Sequence, residues 1–143
     1  MASEQAHKIL ELPSEHASLE VIVETVEQYG ATHELGEDLT YRLLMVSTEA
    51  ATNAIRHGNQ FDEQKPIIVE LSLSESQVEL WVRDKGVGFD RSAVADPLEP
   101  DNMLEDSGRG LFLIEQMADE VSYEDDGRTM HARFSRPDGD GRA

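Results

Sequence analysis

Apolar residues follow several distinct rhythms along this chain. In residues 6–12, AHKILEL, they alternate weakly with polar ones and stop at Pro13, the pattern of an edge strand. From Ser14, read as a helix cap, Leu19, Ile22, Val23 and Val26 recur at three- and four-residue steps. They predict a helix to about Tyr29, with Gly30 as its stop. The rhythm returns through Leu43, Val46, Ala50 and Ala54, in a helix from about Glu37 to His57 that Gly58 follows as a C-terminal signal. IIVELSLS (67–74) and QVELWVRD (77–84) are dense in β-branched residues on either side of Glu75-Ser76, which predicts a hairpin.

Residues 85–107 then lose all periodicity, with Gly86, Gly88, Pro97, Pro100 and clustered acids. A loop of that length inside a compact domain is usually functional or disordered. Helical spacing resumes in GLFLIEQMA (110–118) through Leu111, Ile114 and Met117. VSYED and RTMHARF, parted by Asp126-Gly127, predict a second hairpin, and residues 137–143 read as a frayed tail. The order β-α-α-β-β-loop-α-β-β, without internal repeats, predicts one α+β domain over 1–136, a two-layer fold with helices on one face of the sheet.

Composition narrows the function classes. Thirty acidic residues against twelve basic ones give a net charge of −18 and a pI near 4.4. Phosphate backbones and anionic membranes need clustered Lys and Arg, so a nucleic-acid or membrane partner is not expected. The chain has no cysteine, which excludes disulfides, thiolate metal sites and cysteine nucleophiles. Its start, MASEQAHK, has no apolar signal core, and its longest apolar runs, LLMV and LFLI, are too short to span a bilayer. A cytoplasmic protein is expected.

Three stretches carry more chemistry than a core requires. In EAATNAIRHGN, Glu49, Asn53 and His57 stand at strict four-residue steps beside the apolar stripe, so they share one face of the helix. By itself this is a solvated edge or one wall of a site. After the strand ending at Asp84 comes DKGVGFD, where two glycines let a backbone turn tightly and approach a ligand, or simply make a turn. The dinucleotide fingerprint fails because Arg91 stands where its third glycine belongs, and no GxxxxGK[ST] is present. Finally SGRG (107–110) opens a predicted helix, and free N–H groups there suit an anion, with Arg109 adding a cation. A glycine-rich loop end with an incidental arginine is the plainer reading.

Taken in order, the three stretches resemble the nucleotide-binding boxes of the GHKL ATPase superfamily, across nearly the whole chain. Size and the Glu-first helix motif resemble one branch, the anti-sigma-factor serine/threonine kinases of bacterial partner-switching systems. The resemblance implies the Bergerat ATP-binding fold, with a mixed, mostly antiparallel sheet. It implies Asn53 as a Mg²⁺ ligand, Glu49 as the general base, and Asp84 as acceptor for the adenine amino group, with Gly86 and Gly88 shaping the adenine wall. Residues 91–107 would close over the triphosphate, and Gly108, Arg109 and Gly110 would meet the phosphates. Thr129 would touch adenine through water, against the plainer reading of an ordinary strand threonine. His57 is a ligand contact or a helix-end histidine satisfying a carbonyl. ATP and Mg²⁺ are the implied cofactors, and a sigma factor and an anti-anti-sigma factor the implied partners of a homodimer.

Two other classes compete. A free-standing histidine-kinase catalytic domain usually has Asn at the position of Glu49 and works with a separate helical domain. The residues before Glu37 are too few for one, and His7, His16, His33 and His131 sit in no phosphoacceptor context. A non-catalytic ATP-gated binding module would need no base at position 49. A metal-only or structural protein explains neither glycine pair. The net charge of −18 opposes a polyanionic ligand, so Mg²⁺, Lys85, Arg91 and Arg109 would have to offset it.

Overall fold

The computed structural model describes residues 6–86, 106–125 and 127–136, with only the backbone of 106–111. The expectations for Gly88, Arg91, the remainder of the 91–105 stretch and the 137–143 tail lie outside these residues. Strand β1 (His7–Leu12) leads into helices α1 (Ala17–Thr32) and α2 (Glu37–Asn53). A π-helical turn, Ala54–Gly58, extends α2 and precedes strands β2 (Ile67–Leu73) and β3 (Gln77–Arg83). Helix α3 (Asp106–Met117) and strands β4 (Glu120–Glu124) and β5 (Thr129–Ser135) complete the order.

The five strands form one sheet in the order β1-β2-β3-β5-β4, which leaves β1 at an edge. Every described pairing is antiparallel, so the sheet is not mixed. The reason is topological. Strands β3 and β4, with helix α3 between them in the chain, run parallel to each other, but the hairpin inserts β5 between them and makes both contacts antiparallel.

Strand alternation sorts the two faces. Ile67, Val69, Leu71, Val78, Leu80, Val82, Met130, Ala132 and Phe134 are buried and meet the helices through Ile22, Val26, Leu43, Val46 and Ile114. The stripe predicted for α2 is the buried one, from Leu43 and Val46 to Ala50 and Ala54. The other face carries the Glu70–Arg83 ion pair (2.8 Å) and a hydrogen bond between Glu79 and His131 Nε2 (2.8 Å). There Trp81 stacks on His131 at 4.6 Å and 9°, which shields that imidazole on an otherwise polar face.

Two end signals act differently from their local reading. Ser14 does not cap α1; its Oγ donates to the Lys65 carbonyl at 2.6 Å, and the residue at the N-cap is His16. Gly30 does not end α1, which runs on to Thr32. It is glycine because α2 crosses there: a Cβ would stand 2.3 Å from Thr40 Oγ1. On the other side of α2, Arg42 Nη1 donates to the Met117 carbonyl at 3.1 Å, while Asn53 and Ile114 line a common cavity. Helices α2 and α3 therefore run antiparallel. Among the described residues no helix is long and apolar enough to cross a membrane.

Candidate functional site

The last turn of the α2 unit is wider than an α-helix, closed by Asn59 N–H to the Ala54 carbonyl at 2.7 Å. Such π turns are rare and recur at functional sites. Here the turn takes His57 out of the four-residue register linking Glu49 to Asn53. Asn53 lines a cavity, whereas His57 is exposed. Glu49, half-buried one turn before Asn53, and Asn53 itself have side chains without a hydrogen bond or ion pair among the described residues.

Facing this helix end, the chain leaves β3 in a turn with little freedom. Asp84 N–H donates to the Arg128 carbonyl at 2.9 Å, and Gly86 N–H donates to Asp84 Oδ1 at 2.8 Å. Lys85 N–H donates to Asn59 Oδ1 at 2.8 Å. Gly58 lies directly against Asp84, where a Cβ would come within 2.4 Å of Cγ. A glycine is the residue that permits this approach.

The cavity between these parts is small and partly open, about 20 Å³ in volume. Ala50, Ala54, Val82, Ile114 and Met130 give it apolar walls; Asn53, Asp84, Tyr123 and Arg128 supply its polar edge. Burial pushes the Asp84 carboxyl above the ordinary carboxylate range. The Gly86 N–H and the Arg128 guanidinium oppose that shift, while the Asp125 charge adds to it. An apolar-walled slot ending in a carboxylate acceptor suits a flat heterocycle with an exocyclic amino donor. A hard cation suits the amide oxygen of Asn53. In the chemistry of their side chains, though not in the small volume now between them, these residues fit a magnesium-bound purine nucleotide. A larger open groove, lined by His7, Lys8, Gln28 and His33, lies away from this constellation.

The expected residues are distributed unevenly around the cavity. Glu49, Asn53, Asp84 and Gly86 gather at the ends of α2 and β3. Thr129 is buried at the start of β5, opposite Arg83, and the cavity edge there is made by Arg128 and Met130 instead. Helix α3 begins at Asp106, so Gly108 and Arg109 belong to its first turn and Gly110 to the next, rather than preceding it. Three contributors had no motif to mark them: Gly58, Asn59 and Arg128. The Gly58-Asn59 pair directly after a helix was the available signal, legible only as a stop.

Residues 12–134 match the histidine kinase-like ATPase domain family. The chain is 37% identical over 102 residues to an anti-sigma F factor of Bacillus thuringiensis (strain Al Hakam), covering 66% of this chain and 68% of that one. An anti-sigma F factor of Bacillus cytotoxicus is 38% identical over the same shares. Among solved structures, the RsbU and RsbW domains of a Mycobacterium tuberculosis protein superimpose with a TM-score of 0.64 at 14% identity, over 91% of this chain. This chain spans 32% of that longer one, and at such low identity the likeness concerns the fold. The chain belongs to the histidine kinase-like (GHKL) ATPase family, in the branch of the anti-sigma factors.

Proposed function

We propose that this chain is a Mg-ATP-dependent protein serine/threonine kinase that also acts as an anti-sigma factor. It binds a sigma factor and phosphorylates the anti-anti-sigma protein that competes for it. The observation that supports this best is one cavity edged by Asp84 and Asn53, with Glu49 one helical turn beyond.

In this reading the Asp84 carboxylate accepts the adenine amino hydrogen, and Gly86 and Gly88 leave the ring room. Asn53 holds Mg²⁺ through its amide oxygen, and Gly108, Arg109 and Gly110 meet the phosphates from the start of α3. His57 and Thr129 are peripheral contacts. Bound Mg-ATP supplies the phosphoryl group and the cation that offsets its charge. Glu49 takes the proton of the acceptor serine or threonine hydroxyl, the carboxylate role that phosphoryl transfer asks of the protein. The names carried by the Bacillus relatives support the sigma-factor partner. A homodimer in the cytoplasm completes the proposal.

A pull-down with and without ATP, followed by mass spectrometry of bound proteins and their phosphosites, tests it. Phosphoserine or phosphothreonine on a co-purified partner supports the kinase. Binding without transfer favours an ATP-gated module, and phosphohistidine favours a histidine kinase.

A further inference from the structure

Two side chains outside the sequence motifs grip the turn that carries Asp84, one from each side. Asn59 Oδ1 accepts the Lys85 N–H at 2.8 Å, and Arg128 Nε donates to the Gly86 carbonyl at 2.7 Å. Both grips are themselves anchored. Asn59 is 1% exposed, and its Nδ2 donates to Ser14 Oγ at 2.9 Å and to the Lys65 carbonyl at 2.7 Å. Arg128 Nη1 donates to the Asp125 carbonyl at 3.0 Å, and the Arg128 carbonyl accepts the Asp84 N–H at 2.9 Å.

The Asp84 and Lys85 amides donate to acceptors outside the turn, and the Gly86 N–H donates to Asp84 Oδ1 within it, so all three amides of residues 84–86 are engaged. A turn gripped this way has no free peptide about which to swing. That rigidity is more than a chain reversal needs. It is what a carboxylate requires when it must meet one edge of a base to within a fraction of an ångström.

We propose that Asn59 and Arg128 are positioning residues of the nucleotide site, fixing the Asp84–Gly86 turn and thereby setting the preference for adenine over guanine. This rests on the reading of Asp84 given above. Arg128 carries the decisive test, because loss of Asn59 also releases the β1–α1 connection at Ser14 and threatens the fold.

The experiment is calorimetry of wild type, Arg128→Ala and Arg128→Lys with Mg-ATP and Mg-GTP, together with amide exchange of the nucleotide-free proteins by NMR. Arg128→Ala is expected to weaken ATP binding about tenfold and GTP binding by no more than about threefold, since a misaimed polar contact loses discrimination first. Its Gly86 amide should exchange about tenfold faster, with Tm within about 3 °C of wild type. Arg128→Lys keeps the charge but cannot fork to two carbonyls, so it should fall between. An Arg128→Ala protein with wild-type selectivity and wild-type Gly86 exchange overturns the proposal. So does an Arg128→Lys protein equal to wild type, because charge alone would then suffice. A wild-type protein that binds ATP and GTP equally sinks the reading of Asp84 instead, and the clamp is then decided by the Gly86 exchange alone.

Discussion

Gly58 and Gly86 meet backbone to backbone: a Cβ on Gly86 would stand 1.7 Å from the Gly58 carbonyl oxygen. The contact joins the π turn after α2 to the turn after β3, and so brings Asn53 and Asp84 to one cavity. Neither chain can retreat, since both are backbone. Gly86→Ala is therefore expected to abolish measurable ATP binding and to cost about 2–4 kcal/mol of stability, from the upper part of the ordinary range for overpacking to just past it. In Gly58→Ala the new methyl meets the Asp84 carboxyl, 2.4 Å from Cγ, which has some freedom to turn. That variant should lose ATP affinity by roughly tenfold or more with a smaller drop in Tm, because the group displaced is the proposed reader of the base. Calorimetry and thermal melts on both variants check the ordering; a Gly86→Ala protein that binds ATP normally would contradict it.

In the proposed role, Asp84 would link nucleotide recognition to stability through its proton. Its carboxyl is raised above the ordinary value of 3.8, by burial first and by Asp125 next, against the pull of Gly86 N–H and Arg128. The folded state therefore holds this proton more tightly than the unfolded chain. The resulting stability is fully present below the unfolded pKa and is lost as pH rises through the folded one. At neutral pH the ionised carboxylate consequently opposes folding. Asp84→Asn, which keeps an oxygen for the Gly86 N–H, should melt no lower than wild type without nucleotide and up to about 3 °C higher. The same variant should lose most ATP affinity and the preference for ATP over GTP. In wild type, affinity should begin to fall at a higher pH on acidification than an ordinary aspartate would give. A marked drop in Tm for nucleotide-free Asp84→Asn at pH 7 contradicts the account.

Gly30 offers a test in which local propensity and packing make opposite predictions. In an exposed helix interior, Gly→Ala gains up to about 1 kcal/mol. Here the added methyl would sit 2.3 Å from Thr40 Oγ1, 2.7 Å from Cγ2 and 3.0 Å from Cβ, so both branches of that short side chain are met at once. Gly30→Ala should thus destabilise by about 1–3 kcal/mol. Adding Thr40→Ala should restore most of that loss, a positive coupling in the double-mutant cycle. A stabilised single variant would show that the helices separate easily.

Gly30 also shows why the fold was more legible in the sequence than its joints. Hydrophobic rhythm located every described helix and strand, because periodicity reports which face is buried, and burial dominates folding. It says nothing of which helix crosses which. Gly30 and Gly58 both looked like stops, yet both mark places where another segment passes close. Ser14 had the chemistry of a cap and used it on the Lys65 carbonyl, far along the chain. The sheet order had the same limit, since the insertion of β5 between β3 and β4 leaves no local mark. Glu49 and Asn53 stood out by their four-residue step beside the apolar stripe and Asp84 by its place at a strand end before two glycines, but only the family resemblance gave these residues roles. Asn59 and Arg128 act only through distant partners, so their hydrogen bonds had to be seen in three dimensions.

The choice between enzyme and binding module turns on Glu49. It lies one turn from Asn53, about 6 Å along the axis, and neither side chain is engaged by the described residues. A binding module has no use for a half-buried, unengaged carboxylate in that place. A phosphotransferase does, because a base must reach the acceptor hydroxyl while a neighbouring group steadies the metal. The two residues should then fail differently. Removing a base slows the chemical step and leaves ground-state binding, whereas removing a metal ligand disturbs both. Glu49→Gln is expected to keep Mg-ATP affinity within about threefold and to lose transfer by roughly 10²-fold or more, the usual span of general-base losses. Asn53→Ala should weaken Mg-ATP binding and change its Mg²⁺ dependence together. Single-turnover transfer to the partner identified by pull-down, alongside calorimetry with and without Mg²⁺, separates these outcomes. If Glu49→Gln transfers as fast as wild type, Glu49 is not the base. If wild type binds ATP and its partner without any transfer, the module reading prevails, and Glu49 must be explained as a surface carboxylate at the rim of a site it does not serve.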